Sequence, residues 1–170
     1  MFSVTMNGKT ETLNMADLNA MLRMEQVEGY DQTIADQLGE IQRTNKKRKA
    51  LNQLMSHMRD HKTRNLDSRT KYSGESFKLE GYGNEAKSFD EWSTEFGFKM
   101  TTAGGKPSEK SAAWDTNINA VKGLVDNVTS DSEMQMLRFR QMVDKRGTAL
   151  QEAKTTLQND KRLKDAIVQG

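Results

Sequence analysis

Residues 131–168 read DSEMQMLRFRQMVDKRGTALQEAKTTLQNDKRLKDAIV and contain no proline and a single glycine. Four apolar residues recur every seven positions in this stretch: Met136, Val143, Leu150 and Leu157. A second row at an offset of three contains Phe139, Ala153 and Ile167, with Arg146 and Asp160 as its polar positions. A sustained seven-residue apolar repeat is typical of a helix that pairs with another helix along its length. The stretch therefore predicts a long helix over 131–168, and the spacing of Ser130 and Glu133 is that of a capping box at its start.

A second segment, 31–64, offers the partner for this helix, because it lacks proline and has apolar residues at spacings of three and four. We expect the two segments to form a long antiparallel coiled-coil stem within one molecule. A shorter helix over about 15–27 precedes it, and Gly29 is expected to end or bend that helix. The predicted seam of the stem consists of Ile34, Leu38, Ile41, Leu51, Met55, Met58, Met136, Val143, Leu150 and Leu157.

The middle of the chain has a different composition, with half of the glycines, the only proline and most of the aromatic residues. Large rings bury enough area to hold a small irregular unit together. We expect residues 65–113 to form a small α+β cap, with strands near 76–80 and 96–100 and a short helix opened by Ser88 and Glu91. The predicted core of this cap consists of Phe77, Phe89, Trp92, Phe96 and Trp114.

The fold class expected from these patterns is mainly α, as a single elongated domain over 1–170 whose stem is formed by 14–64 and 114–168. Residues 1–13 have alternating apolar and polar residues on either side of an Asn-Gly pair. This pattern is compatible with a small hairpin or with a mobile tail. The segment also lacks the basic start and the long apolar stretch of a cleaved secretory signal.

Composition excludes several classes of protein. Of the 170 residues, 34% are hydrophobic and 29% are charged, and no apolar run approaches the length of about 20 residues that spans a bilayer. We therefore expect no direct membrane span. The formal net charge is only +2, so the chain has no global field that would attract nucleic acid. Cysteine is absent, which removes disulfides, thiol nucleophiles and thiolate metal sites.

Catalytic and metal-binding chemistry has few candidate residues. His57, Asp60 and His61 have helical spacing that suits a divalent metal, but a fourth ligand is lacking, and two solvent-facing histidines are the favoured interpretation. They are the only histidines, which removes most acid-base and triad schemes. Gly104, Gly105 and Lys106 are followed by proline rather than by the Ser or Thr of a phosphate loop. We expect no enzyme, no metal and no cofactor.

The densest basic run lies in the middle of the 31–64 segment, at Arg43, Lys46, Lys47, Arg48 and Lys49. Consecutive helical residues point around the whole helix, so the run predicts a collar of charge rather than a stripe. No aromatic residues are interleaved for base stacking. The run favours a solvated helix segment or a contact with an acidic partner over a nucleic-acid site.

The order of these segments resembles that of a known family. Residues 45–58 read NKKRKALNQLMSHM, residues 125–137 read VDNVTSDSEMQML, and the final helix ends in AIV at 166–168. Two such helices on either side of a glycine-rich segment resemble the needle-tip proteins of type III secretion systems, the V-antigen and IpaD group. The EspA-type filament proteins are related to this group and share the terminal helices.

The resemblance implies a secreted protein, exported without a cleaved signal and extracellular at the bacterial surface. It also implies self-association, contact with the needle subunit and support for the insertion of translocator proteins. The absence of cysteine and the uncharged start of the chain are compatible with export through a narrow channel. The alternative function is an intracellular helical adaptor or secretion chaperone that binds a client helix. A nucleic-acid-binding module is the third hypothesis.

Overall fold

A computed structural model gives the architecture of the chain. It describes the backbone of residues 2–6, 9–13, 15–64, 76–101 and 107–169, and the side chains of 15–64, 76–101 and 108–167. Residues 65–75 and 102–106 of the predicted cap lie outside the described residues.

The fold is mainly helical, as predicted, and two long helices dominate it. Helix α1 spans Met15–Thr63, α2 spans Phe89–Phe96 and α3 spans Pro107–Gln169. The breaks predicted near Gly29 and Ser130 are wrong, because α1 and α3 continue through these positions. A single glycine costs only about 1 kcal/mol in a helix, which packing along a long helix offsets.

Two short strands precede α1. Strand β1, Phe2–Met6, pairs antiparallel with β2, Lys9–Leu13, and Phe2 is opposite Leu13 in the register. Of the two structures compatible with the sequence of 1–13, the hairpin is the one observed. Whether this segment acts as an export signal stays a prediction.

The chain divides into two compact units. Unit 1 contains residues 1–40 and 135–170, and unit 2 contains residues 41–134. Each unit includes a part of α1 and a part of α3 that pack together, in agreement with the predicted pairing of the two helices.

In unit 1, ion pairs show the direction of the two helices. Arg23 Nη2 lies 3.0 Å from Glu152 Oε2, and the Arg146 guanidinium donates hydrogen bonds to the carboxylate of Asp31. Residue numbers rise along α1 while they fall along α3, so the pairing is antiparallel, as predicted. Both ion pairs are exposed, so they fix the alignment of the helices more than they stabilise the unit.

The seam of α3 in unit 1 differs from the prediction. Its buried or half-buried residues recur at alternating spacings of three and four: Phe139, Met142, Arg146, Ala149, Ala153, Thr156 and Asp160. The predicted seam residues Met136, Val143, Leu150 and Leu157 are instead 38–46% exposed, and Leu38 on α1 is 45% exposed. Burial thus contradicts the predicted register. The physical reason is that the small side chains of Ala149 and Ala153 face α1. The large apolar residues of the repeat that begins at Met136 each follow a buried or half-buried residue by one position.

The remaining predicted seam residues on α1 are less accessible. Ile34 and Met55 are half-buried, while Ile41, Leu51 and Met58 are buried. Leu51 and Met58 belong to the core of unit 2, and Met55 packs against it.

Unit 2 has an aromatic core between its helices. Leu51, Leu54 and Met58 of α1 are fully buried. They form one cluster with Phe89, Trp92 and Phe96 of α2 and with Trp114, Val121 and Val128 of α3. Because the rings of this cluster carry most of its apolar area, unit 2 has a core of the kind expected for a stable domain.

Helix α2 has both ends defined by local sequence. The Ser88 hydroxyl accepts a hydrogen bond from the Glu91 N–H, and the Glu91 carboxylate accepts one from the Ser88 N–H at 2.7 Å, which confirms the predicted capping box. These bonds from Ser88 lower the pKa of Glu91. Gly97 ends the helix in the left-handed conformation, with φ of 80°.

The predicted α+β character of the cap is wrong for the described residues 76–101. This range contains one isolated bridge between Phe77 and Lys87, and neither of the predicted strands near 76–80 and 96–100 is present. Two strands without a covering layer are marginal, whereas here Phe77 and Phe98 pack against the aromatic core of unit 2. In the part of the chain that the structure describes, no helix has the length and apolar character needed to cross a membrane.

We predict that Ala153→Leu destabilises unit 1 by about 1–3 kcal/mol, because the added atoms must fit at a buried helix contact. Ala153 is 2% exposed. The matched control is Gln151→Leu, which adds an apolar side chain at an exposed position two residues earlier. Urea unfolding followed by circular dichroism measures both variants. Equal stability of the two variants would contradict the placement of Ala153 in the seam.

We predict that Gly29→Ala stabilises the protein by about 0.5–1 kcal/mol, since alanine lowers the entropy of the unfolded chain and favours the helix. No atom lies within 4 Å of the Cβ that this change adds. Gly97→Ala is the control of opposite sign, because the positive φ of Gly97 disfavours a side chain. Thermal unfolding compares the two variants, and a lower melting temperature for Gly29→Ala would show that α1 is broken there.

Candidate interaction surfaces

The large apolar residues that remain exposed are concentrated in unit 1. Among the described residues, every exposed large apolar side chain except Met134 belongs to this unit. On α3 they include the four residues of the seven-residue repeat, Met136, Val143, Leu150 and Leu157. On α1, Met24 and Leu38 are 46% and 45% exposed. We call these six residues the flank row.

The flank row lies on one side of the helix pair. With Ala20, Val27 and Ile34 at heptad position a of α1, Met24 and Leu38 are at position e. With Phe139, Arg146 and Ala153 at position a of α3, the repeat beginning at Met136 is also at position e. In an antiparallel helix pair, the e positions of both helices border the same side of the seam. The e row of α3 is therefore apolar from Met136 to Leu157, whereas the e row of α1 is mixed, because Asp31 lies between Met24 and Leu38.

The opposite side of the same helix pair is polar. Its g positions on α3 are Arg138, Lys145, Glu152 and Asn159. A shallow groove of about 270 Å³ on this side is lined by residues of both helices that include Gln26, Lys145 and Glu152. Asp31 lies on the side of the flank row, and its hydrogen bond with Arg146 raises the pKa of that seam residue. Unit 1 thus exposes the apolar row of α3 along one border of its seam, beside Asp31 of α1, and polar residues along the other.

The basic run of α1 lies in unit 2, and the structure separates its members. Arg43, Lys46 and Lys47 line a cleft whose opposite wall is the turn at Gly81 and Tyr82. Lys49 Nζ instead lies 3.7 Å from a carboxylate oxygen of Glu80, and Arg48 is half-buried. Instead of the predicted collar, the structure has a smaller cluster of three cations, Arg43, Lys46 and Lys47, on one face of α1. Binding of a partner by this run stays a prediction.

The turn that faces these cations is held against α1. The Gln53 side chain accepts a hydrogen bond from the Glu80 N–H at 2.8 Å, and the Tyr82 N–H donates to the Leu79 carbonyl at 3.2 Å. Gly81 has a φ of 76°, which side chains disfavour. Leu79 is fully buried and anchors the turn in the core of unit 2.

Tyr82 joins this turn to the aromatic core. Its ring centroid is 5.0 Å from that of Phe96 and 6.4 Å from that of Trp92. Burial, followed by the negative charge of Glu95, raises the pKa of Tyr82. The phenol is consequently a neutral hydrogen-bond donor at physiological pH.

The side chain of Lys87 covers the same core from the other side. Its Nζ donates a hydrogen bond of 2.6 Å to Glu95 and lies 5.1 Å from the centroid of the Trp92 ring. The bond to Glu95 raises the pKa of Lys87. The ion pair of Lys87 and Glu95 thus covers the Trp92 ring, which is a structural role rather than a catalytic one.

The residues predicted as the core of the cap lie in or against the core of unit 2. Phe89, Trp92, Phe96 and Trp114 are buried, and Phe77 is half-buried. Trp92 Nε1 donates a hydrogen bond of 3.1 Å to the Phe77 carbonyl, which ties the 76–79 segment to α2. These five residues hold unit 2 together, and only their neighbour Tyr82 lines a cleft.

The two histidines do not form a site with Asp60. His61 is buried, with its ring centroid 4.9 Å from that of Phe89 and 5.8 Å from that of Trp114. His57 stacks on Phe77 at 4.2 Å, and Asp60 pairs with Arg64. Among the described residues, no group of three acidic or imidazole side chains is arranged to hold a metal ion. The interpretation as solvent-facing histidines is therefore wrong for His61, which is a part of the core.

Gly81 and Tyr82 have the composition of a turn, and the structure contains a turn there, but the sequence could not predict that this turn faces α1. The flank row was also missed, because its members on α3 and Leu38 were assigned to the seam. The second repeat, Phe139, Arg146, Ala153 and Asp160, was recognised in the sequence as part of the seam, and the repeat beginning at Met136 was wrongly placed beside it.

The chain was compared with models of protein families, with curated proteins and with solved structures, and no match was found in any of the three. The arguments that follow accordingly rest on the flank row and on the cleft of unit 2.

Proposed function

We propose that the protein is a non-enzymatic structural component that assembles with further copies of itself through the flank row of unit 1. The observation that carries this proposal is the exposure of six large apolar side chains along one side of an antiparallel helix pair. Helices that pair only as two strands have charged residues at their e and g positions. Apolar residues at a, d and e together are typical of helices that face the core of a larger bundle.

A second copy is the occupant that suits this surface. Residues 136–157 extend for about 32 Å along a helix, and two helices about 10 Å apart present a side about 20 Å wide. The footprint of about 600 Å² per copy, or about 1,200 Å² in total, falls at the lower end of the range for specific interfaces. Two helix pairs that meet on these sides would form a four-helix bundle with a self-complementary interface.

The charges beside the flank row are compatible with this arrangement. On α1 the neighbouring outer row contains the exposed residue Glu28, and on α3 it contains Arg140 and Lys154, which are also exposed. When α1 of one copy lies on α3 of the other, Glu28 of one helix faces the row that contains Arg140 and Lys154 on the other. Such complementarity selects this pairing over the like-with-like alternative.

The resemblance to needle-tip proteins gives the setting that we propose for this assembly. In that setting the protein is exported to the bacterial surface, assembles at the needle end and supports the insertion of translocator proteins. Its partners are further copies, the needle subunit and the translocators. The support for the setting is the paired long helices with α2 and its surrounding segment between them in sequence, as in the order of elements of that family.

We predict that the purified chain is a dimer or a larger oligomer and that Leu150→Glu weakens its association at least about tenfold, since a charge replaces a side chain at the centre of the interface. Helix content should remain unchanged, because Leu150 is exposed within one copy. The matched control is Gln151→Glu, which adds the same charge at the next, exposed residue. Analytical ultracentrifugation over a concentration series measures the association.

Two results would contradict the assembly. If the parent chain is a monomer at high micromolar concentration, self-assembly through the flank row is wrong. The flank row would then bind a helix of another protein, as in the adaptor or chaperone alternative. Equal weakening by Leu150→Glu and Gln151→Glu would mean that net charge, and not the flank row, controls association.

We further predict that genes for a secretion apparatus and for translocator proteins flank the gene of this protein. The genome of the source organism provides this test without purified protein. A neighbourhood without any of these genes would contradict the needle-tip setting, and it would leave the dimer experiment unaffected.

A further inference from the structure

The cleft of unit 2 has a composition that selects for negative charge. Arg43, Lys46 and Lys47 are spaced at i, i+3 and i+4, so they share one face of α1. The lining residues that accompany them are Thr44, Gly81 and Tyr82. Among the described residues that line the cleft, none is a carboxylate, and the nearby carboxylate of Glu80 lies 3.7 Å from Lys49. Three cations that face an uncharged wall attract an anionic ligand.

The walls of the cleft are held at a fixed separation. Gln53 bonds the Glu80 N–H from the side of α1, and Tyr82 is fixed by its packing on Phe96. A ligand therefore meets a site whose two walls are already in place, and binding requires little ordering of the protein. Tyr82 and Gly81 form the uncharged wall opposite the cations.

The size and shape of the cleft select among anionic ligands. Its volume of about 460 Å³ is far larger than a single carboxylate or phosphate, and it lies in the range of pockets that hold larger ligands. The cleft is bordered by one helix face and one turn, which suits a chain that passes between them.

Nucleic acid fits this cleft less well than a peptide does. Binding of single strands uses aromatic faces on which successive bases stack. Tyr82 is the one aromatic residue in the lining, and its half-buried ring packs on Phe96 and Trp92. The next residues on this face of α1 are Ala50 and Gln53, so the cations end after one turn instead of continuing along a backbone.

We propose that this cleft binds a short acidic segment of a partner protein. Arg43, Lys46 and Lys47 pair with the carboxylates of consecutive Asp or Glu residues, which lie against the wall formed by Gly81 and Tyr82. The site is independent of the flank row, which belongs to the other unit. It gives the protein a second contact that differs in chemistry from the apolar one.

The test uses the full chain and a fluorescein-labelled hexapeptide of alternating Glu and Asp, with fluorescence anisotropy at low ionic strength. We expect saturable binding that the triple variant Arg43→Gln, Lys46→Gln, Lys47→Gln weakens at least about tenfold, since each charged hydrogen bond contributes to affinity.

The matched control is the triple variant Lys99→Gln, Lys122→Gln, Arg138→Gln, which removes the same charges at exposed positions outside the cleft. It should bind the peptide as the parent chain does. Equal weakening by both triple variants would overturn the site, because attraction would then follow net charge. Tighter binding of a labelled oligothymidine than of the peptide would overturn the peptide as its ligand. Either result leaves the association test of the flank row unchanged.

Discussion

The packing of small side chains between α1 and α3 in unit 1 is the constraint from which the candidate interface follows. Ala149 and Ala153 are buried, and their small side chains contribute little apolar area to the seam. The larger side chains Leu150 and Leu157 are instead exposed at its border. Unit 1 therefore has apolar surface along one side of α3 that its own seam does not cover.

Unit 2 reaches stability in a different manner. Its aromatic cluster joins α2 to both long helices, and Leu79 attaches the 79–82 turn to the same cluster. Because this turn is anchored in the core, it can face the cations of α1 at a constant distance. The cleft therefore depends on Trp92 and Phe96, although neither of these residues lines it.

The sequence was sufficient to predict the helical class, the antiparallel pairing and the capping box of α2, since these follow from periodicity and from local capping residues. It was insufficient for the register of α3, because the repeat that contains Phe139, Arg146 and Ala153 was combined with the larger apolar residues that begin at Met136. The observed seam combines it instead with Met142, Ala149 and Thr156, and a search for large apolar residues passes over the last two. The cleft could not be predicted, because Arg43 and Tyr82 are distant in sequence and meet only in the fold.

The two units should respond differently to assembly. A seam that contains Ala149 and Ala153 removes little apolar surface from water at these positions. The hydrophobic contribution to folding free energy scales with the buried apolar area at about 25 cal/mol per Å². On the proposed assembly, the flank row supplies unit 1 with the burial that its own seam lacks. Any partner that binds the folded form adds to its stability by mass action. Helix pairing in unit 1 is then coupled to association, whereas the aromatic core of unit 2 is complete within one copy. On this proposal the protein assembles through unit 1, while the structure of the cleft in unit 2 does not depend on association.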